Sequence, residues 1–260
     1  MMKYLNSTLF SLLLGVSTSV SAHSLWTVGE NKDVLEADLV YGHHFPEPEV
    51  IPEARLGLFN PTILVSDHGT ETLTQSGQNY HYRSKGKLAK GTYVLIGSYK
   101  PTYWTKKADG EWAMGKTRAD FPNAQRCELY SMQGKSFVSV DDDGAFATQP
   151  VGKGYEITPL VKPDEIKAGE VVRFRLTHDG KPVADAVVVG SPAGFNAEMT
   201  HEDEESELEA FHAVTNEKGE FPFKALKPGF WYLESRVEHK GDPKVCEKIT
   251  DQLTLNFHVK

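Results

Sequence analysis

The chain has 260 residues, a formal net charge of −8 and two cysteines. This acidic balance argues against nucleic acid and anionic lipid surfaces as partners, and it favours cations. After the N-terminal region no apolar run reaches about 18 residues, so we predict no further membrane-spanning helix.

Residues 1–22 are typical of a secretory signal peptide. Lys3 precedes an apolar run, and Val20-Ser21-Ala22 has the small-residue pattern of a cleavage site. We expect cleavage after Ala22, which leaves a soluble periplasmic chain of about 238 residues that begins at His23.

A histidine at a mature N-terminus is a special metal ligand. Its α-amine and its ring Nδ1 can hold one ion in a six-membered chelate, and an amine with a free pKa of about 8 loses its proton to a metal at modest cost. This is half of a histidine brace, and it requires cleavage after Ala22. The alternative is a solvated His23 with no ligand role.

The segment "YGHHFPE" offers the other half of a site. A strand is predicted over residues 34–40, and His43 and His44 follow it before Phe45-Pro46 turns the chain. Since neighbouring side chains of an extended chain point in opposite directions, we expect one imidazole to face a metal while the other packs or hydrogen-bonds. The alternative is that both histidines are ordinary surface residues.

The stretch "KPTYWTKKADGEWAMG" predicts an aromatic, hairpin-like element. It carries Tyr103, Trp104 and Trp112. We expect these rings in the core or at its rim, although an exposed set can dock a partner or a sugar.

Short β-rich runs bounded by Gly, Pro, Asn and Asp predict an all-β fold with two β-sandwich-like domains. Gly and Pro concentrate in residues 150–170, so we place the domain boundary near residue 154. The division is then an N-terminal β domain over 23–154, which carries the metal-binding N-terminus, and a C-terminal β-sandwich over 155–260.

The C-terminal half has the turn and strand pattern of a sandwich. Asp179-Gly180 and Gly219 mark predicted turns, and Phe221 and Phe223 alternate onto one face. Its "TNEKGEFPFKALKPGFWYLES" resembles the prealbumin-like or carboxypeptidase-regulatory-like modules of exported bacterial proteins. That resemblance implies a fold and no particular chemistry.

An acidic run interrupts this half. Six of the eight residues 202–209 are acidic, and His201 and His212 flank them. The run is either a solvated hairpin tip or a cation-attracting loop in which His201 is a further candidate metal ligand.

The two cysteines, Cys127 and Cys246, are predicted to form one disulfide. An exported chain is oxidised by default, and neither cysteine has metal-binding spacing. We expect the remaining histidines to be surface or strand residues: His68, His81, His178, His212, His239 and His258.

Four segments together resemble one bacterial family: "AHSLW", "YGHHFPE", "YEITPLVKPDEIKAGE…RLTHDGKPVADAVV" and the prealbumin-like ending. It is the family of periplasmic domains of unknown function known as nickel-uptake accessory proteins, some encoded beside nickel/cobalt transporters of the energy-coupling-factor type. The resemblance implies a protein that binds nickel or cobalt and passes the ion to a membrane transporter, with His23, His43 and His44 as the positions carried over.

We therefore predict a metal-binding protein and not an enzyme. No nucleophile elbow, His-Glu-x-x-His motif, phosphate loop or dinucleotide fingerprint occurs in the sequence. Imidazole suits nickel, cobalt, copper and zinc alike, so the choice of nickel comes from the resemblance. The alternatives are a structural or partner-binding β module and a copper histidine-brace oxidative enzyme.

Overall fold

The computed structural model describes residues 23–152, 154–195 and 209–260. The predicted signal peptide, His201 and residues 202–208 of the acidic run lie outside these ranges.

The N-terminal half of the described chain consists of short strands and two long ones. Its strands are β1 (Ser24–Asn31), β2 (Leu35–Gly42), β3 (Ile63–Ser66), β4 (Gly69–Thr72), β5 (Thr74–Gln75), β6 (His81–Arg83), β7 (Gly91–Lys106), β8 (Trp112–Met114) and β9 (Arg126–Val140). One α-helical turn, α1 (Glu53–Leu56), separates β2 from β3, and a 3₁₀ turn (Ala145–Thr148) follows β9.

The C-terminal half adds further strands and a second 3₁₀ turn (Pro163–Glu165). Its strands are β10 (Tyr155–Pro159), β11 (Val172–His178), β12 (Lys181–Pro182), β13 (Val187–Pro192), β14 (Phe211–Val214), β15 (Glu220–Phe223), β16 (Gly229–Lys240) and β17 (Lys248–Val259). The all-β prediction is confirmed. In the part of the chain that the structure describes, no helix is both long and apolar enough to cross a membrane.

The strands form one large sheet and two small ones. The large sheet has the order β14-β13-β16-β17-β9-β7-β3-β4, with β8 paired to β7. The first small sheet is β1-β2-β6-β5, and the second is β10-β11-β12 with β15 paired to β11. The arrangement is sandwich-like.

The two small sheets cover opposite faces of the large one, as the alternating side chains of β17 show. Leu253, Leu255 and Phe257 pack in a core with Phe174 and Phe221 of the second small sheet. The intervening residues of β17 are polar and meet β1 of the first small sheet.

Strand β1 is an edge strand whose outward carbonyls are satisfied by side chains. Thr254 donates to the carbonyl oxygen of Leu25 over 2.5 Å, and Asn256 donates to that of Thr27 over 2.6 Å. All four residues are buried. Because an unpaired buried carbonyl is costly, these bonds fix β1 against the large sheet.

The large sheet takes strands from both sides of residue 154. Strand β17 pairs in parallel with β9 over nine positions, from Lys248 opposite Glu128 to Asn256 opposite Ser136. The predicted disulfide between Cys127 and Cys246 is confirmed, and it joins the start of β9 to the segment just before β17. The division near 154 stays a prediction, and this shared sheet couples the two halves.

Candidate metal and ligand site

The site begins at the N-terminal end of β1, where Ser24 is held by two neighbours. Gln252 of β17 donates to the Ser24 hydroxyl over 2.7 Å, and that hydroxyl donates to Glu234 of β16 over 2.8 Å. All three side chains are buried. The anchored Ser24 sets the position of His23, the residue before it.

His23 and His43 lie side by side. Antiparallel pairing of β1 with β2 sets Ser24 opposite Gly42, so the residues just beyond this pair are His23 and His43. Their ring centroids are 4.2 Å apart, and the planes are inclined by 53°. The structure thus brings together two of the candidate ligands predicted from the sequence.

His43 and His44 differ in their surroundings. His43 is half-buried, and its Nδ1 is buried without a hydrogen-bond partner among the described residues. His44 is exposed, and its carbonyl oxygen accepts the backbone N–H of Glu47 over 2.8 Å. Of the adjacent pair, His43 is therefore the one beside His23.

Phe45 anchors the turn that carries the two histidines. Its ring centroid lies 5.5 Å from that of Trp26, 4.9 Å from Phe230 and 5.1 Å from Tyr232. These rings belong to β1 and β16, so the turn is tied to the same two strands that position His23.

Arg55 of α1 also contacts the His23 ring. Its Nη1 lies 3.4 Å from Nε2 of His23 and donates to the Tyr41 hydroxyl over 3.0 Å. The segment before α1 is fixed because the backbone of Ile51 exchanges two hydrogen bonds with the Asn79 side chain, of 3.0 and 2.8 Å.

The electrostatics keep His23 neutral. Burial lowers the pKa of His23 to about 4, and the charges of His43 and Arg55 act in the same direction. Burial also raises the pKa of Tyr41, which stacks on His23 at 4.6 Å, to about 12, although Arg55 opposes this. At neutral pH the His23 ring therefore keeps a nitrogen lone pair.

A cavity of about 560 Å³ opens beside His23. Its aromatic lining includes Tyr41, Tyr99, Tyr130, Trp104 and Trp112. The last two come from the hairpin of β7 and β8, which the sequence predicts, and the register sets Trp112 opposite Lys106 and Trp104 opposite Met114. Pockets of this volume suit small molecules.

Without an α-amine at His23, the side chains at the site supply only part of the ligand set that a metal ion requires. In the described ranges no group of three or more His, Cys, Asp or Glu side chains is arranged to hold a metal. His23 and His43 supply two imidazoles, and a brace needs one further nitrogen, which is the α-amine of a chain that begins at His23. The side chains present thus supply two of the three nitrogens that a brace requires.

Sequence reasoning missed Arg55 and the tyrosines around it. Arg55 lies in a four-residue helical turn with no apolar periodicity, and Tyr99 and Tyr130 read as ordinary strand residues. The only available signal was Tyr41, which directly precedes the Gly-His-His segment. The remaining candidate ligand, His201, lies outside the described residues.

Fold and site together define an all-β protein in which His23 and His43 meet where β1 begins and β2 ends. Residues 20–239 match the model of a family described as a domain of unknown function (DUF4198). Because this match covers more than half of the chain, the protein belongs to that family. No curated protein matches the chain.

Proposed function

We propose that this chain, after cleavage behind Ala22, is a periplasmic protein that binds a divalent transition-metal ion. The ion is held by the α-amine and Nδ1 of His23 and by the imidazole of His43. Its function is to deliver nickel or cobalt to a membrane uptake transporter.

The observation that carries the proposal is the pairing of His23 with His43. Two imidazole rings 4.2 Å apart, one neutral and one with a buried unpartnered Nδ1, are within reach of a shared ion. On His23 the Nε2 atom faces Arg55, which leaves Nδ1, the ring nitrogen nearer the backbone amine, for the chelate.

Nickel and cobalt come from the family resemblance and not from the ligands. Nitrogen sites of this kind bind copper more tightly than nickel under equal conditions, so the ion available in the cell decides occupancy. The net charge of −8 favours the approach of cations. His23 is half-exposed, which gives an ion a route in and out.

The shape of the cavity beside His23 favours a metal-binding protein over an oxidative enzyme. A copper enzyme that acts on polysaccharides needs an open, flat aromatic surface, whereas the aromatic rings here line a recess of about 560 Å³. A recess of this size suits a small ligand.

The proposal is tested by titrating nickel, cobalt, copper and zinc into two forms of the protein. One begins at His23, and the other carries a single extra glycine before it, whose own amine is acetylated so that the extension brings no new metal donor. The extension turns the amine into an amide, so we expect affinity to fall by about 100-fold, because one metal donor is lost and outer-shell losses alone cost 10- to 100-fold. Isothermal titration calorimetry measures it.

A matched pair of variants locates the second ring. His43→Ala should lower the affinity by a similar factor, whereas His44→Ala should leave the affinity within about threefold because His44 is exposed. Equal affinity with and without the extra glycine contradicts the role of the amine. An unchanged melting temperature with every metal favours the structural-module alternative, since a ligand of the folded state must stabilise it.

A further inference from the structure

Arg55 is a cation without a carboxylate partner among the described residues. It is half-buried, and its guanidinium contacts the Tyr41 hydroxyl and Nε2 of His23, neither of which carries a negative charge. Its Cζ lies 5.8 Å from the Tyr41 ring centroid and 5.6 Å from that of Trp104. Aromatic faces attract a guanidinium, but they do not neutralise its charge.

The other arginines of the cavity are already paired. Arg126 binds Glu128 at 2.7 Å, and Arg236 binds Glu234 at 2.8 Å. The lining carboxylate Glu238 is bound by Lys248.

Glu111 also lines the cavity, but it is exposed. Water screens its charge more than it screens the half-buried Arg55. Arg55 is therefore the charge of the cavity lining that ion pairs and water balance least.

The size and lining of the cavity define what can neutralise this charge. A volume of about 560 Å³ admits a small organic molecule and not a folded partner. Its tyrosine and tryptophan rings offer stacking contacts to another ring. The planar fork of an arginine matches the two oxygens of a carboxylate.

We propose that the cavity beside His23 binds a small aromatic carboxylate, whose carboxylate pairs with Arg55 and whose ring packs against Trp104 and the tyrosines. This site goes beyond the proposed metal binding and does not depend on it. His23 belongs both to the cavity lining and to the proposed metal site, so a carboxylate bound to Arg55 lies next to an ion held by the histidines.

The test uses metal-free protein, prepared on a chelating resin, with 4-fluorobenzoate as the probe. Fluorine NMR line broadening measures its binding. The neutral 4-fluorobenzamide and the cationic 4-fluorobenzylamine have the same ring, so they report the contribution of charge. We expect 4-fluorobenzoate to bind at least tenfold more tightly than either.

Arg55→Gln should weaken 4-fluorobenzoate binding at least tenfold, while Arg55→Lys, which keeps the charge and loses the fork, should give an intermediate loss. Arg173→Gln is the matched control: it makes the same change in net charge on an exposed residue of β11 and should bind as the unmodified protein does. Near-UV circular dichroism confirms that each variant is folded.

Three results overturn the proposal: no broadening of 4-fluorobenzoate at 10 mM, equal binding of the amide, or unchanged binding in folded Arg55→Gln. Since no metal is present, none of these outcomes bears on the metal site. Loss of metal affinity with the glycine extension, in turn, leaves this measurement untouched.

Discussion

His81 lies between two carboxylates on the surface of the first small sheet. Its Nδ1 is 2.6 Å from Asp38 and its Nε2 is 2.7 Å from Glu36, which also binds Arg83 at 2.9 Å. Both nitrogens donate only when the ring is protonated. Burial lowers the pKa of His81, but the hydrogen bonds and charges of Asp38 and Glu36 outweigh it and raise the pKa above 6.5.

This raised pKa predicts a pH-dependent contribution to stability. A group with a raised folded-state pKa stabilises fully below its unfolded pKa and loses that effect as pH rises through the folded value. Since the His81 hydrogen bond also lowers the pKa of Glu36 below 4.5, the full contribution lies between about pH 4.5 and 6.5. We expect the unfolding free energy of the unmodified protein to exceed that of His81→Gln in this window, and the difference to shrink above it.

Urea unfolding at several pH values measures the difference, and the exposed His68→Gln serves as the control. A difference that grows from pH 6 to pH 9 contradicts the pairing. Direct NMR titration of the His81 ring gives its pKa independently.

For single residues, the sequence predicts which side chains can bind a metal better than it predicts which residues surround them. It identifies His23 and the adjacent histidines because a histidine after a predicted cleavage site and a His-His pair can both be recognised from neighbouring residues alone. It predicts that one of the two faces a metal, but it does not say which. Which of the two lies beside His23 depends on the register between β1 and β2, which selects His43, and on where Phe45 packs. Long-range pairings of this kind leave no local signal.

Among the elements, β1 determines the geometry of the site because it carries His23. It crosses β9 at Gly134, where an added Cβ would lie 2.7 Å from the carbonyl oxygen of Leu25 and 2.9 Å from Cα of Trp26. Both neighbours are backbone atoms, so neither can rotate away. A glycine is required there for close approach of the two strands.

Gly134→Ala should therefore push β1 away from the large sheet. We expect the unfolding free energy to fall by about 1 to 3 kcal/mol, the range for overpacking a well-packed interior. Gly57→Ala is the control, because its added Cβ would meet nothing within 4 Å and its φ is −65°. It should be neutral or stabilising by up to about 1 kcal/mol. Urea denaturation compares the two, and equal stability of both variants would refute the close approach.

The sequence predicts best those strands that are bounded by turn-forming residues such as Asp and Gly. The residues Asp179 and Gly180 join β11 to β12 with positive φ values of 48° and 76°, and Gly219 precedes β15 with a φ of 71°. Phe221 and Phe223 are both buried. These features depend on a few neighbouring residues, whereas the order of strands in the large sheet depends on the pairing of β9 with β17, whose partners are about 120 residues apart in the sequence.

On the scale of the whole molecule, the parallel pairing of β9 with β17 joins the two halves, and the disulfide closes a loop of 119 residues beside it. Glu247 strengthens this junction: it binds Arg118 and accepts the backbone N–H of Cys127 over 2.9 Å. The hydrogen bond from Arg118 is the main reason why the pKa of Glu247 is lowered to about 2. The junction therefore keeps non-covalent contacts if the disulfide is removed.

The double variant Cys127→Ala/Cys246→Ala should be less stable by up to about 4 to 5 kcal/mol, the chain-entropy value for a loop of this length. It should still unfold in one transition, because losing β17 would expose the edge of β9 and the core of the C-terminal half together. Urea curves followed by far-UV circular dichroism and by tryptophan fluorescence should coincide in both proteins. Two separated transitions would show that 23–154 and 155–260 fold independently, as the Gly- and Pro-rich boundary alone suggests.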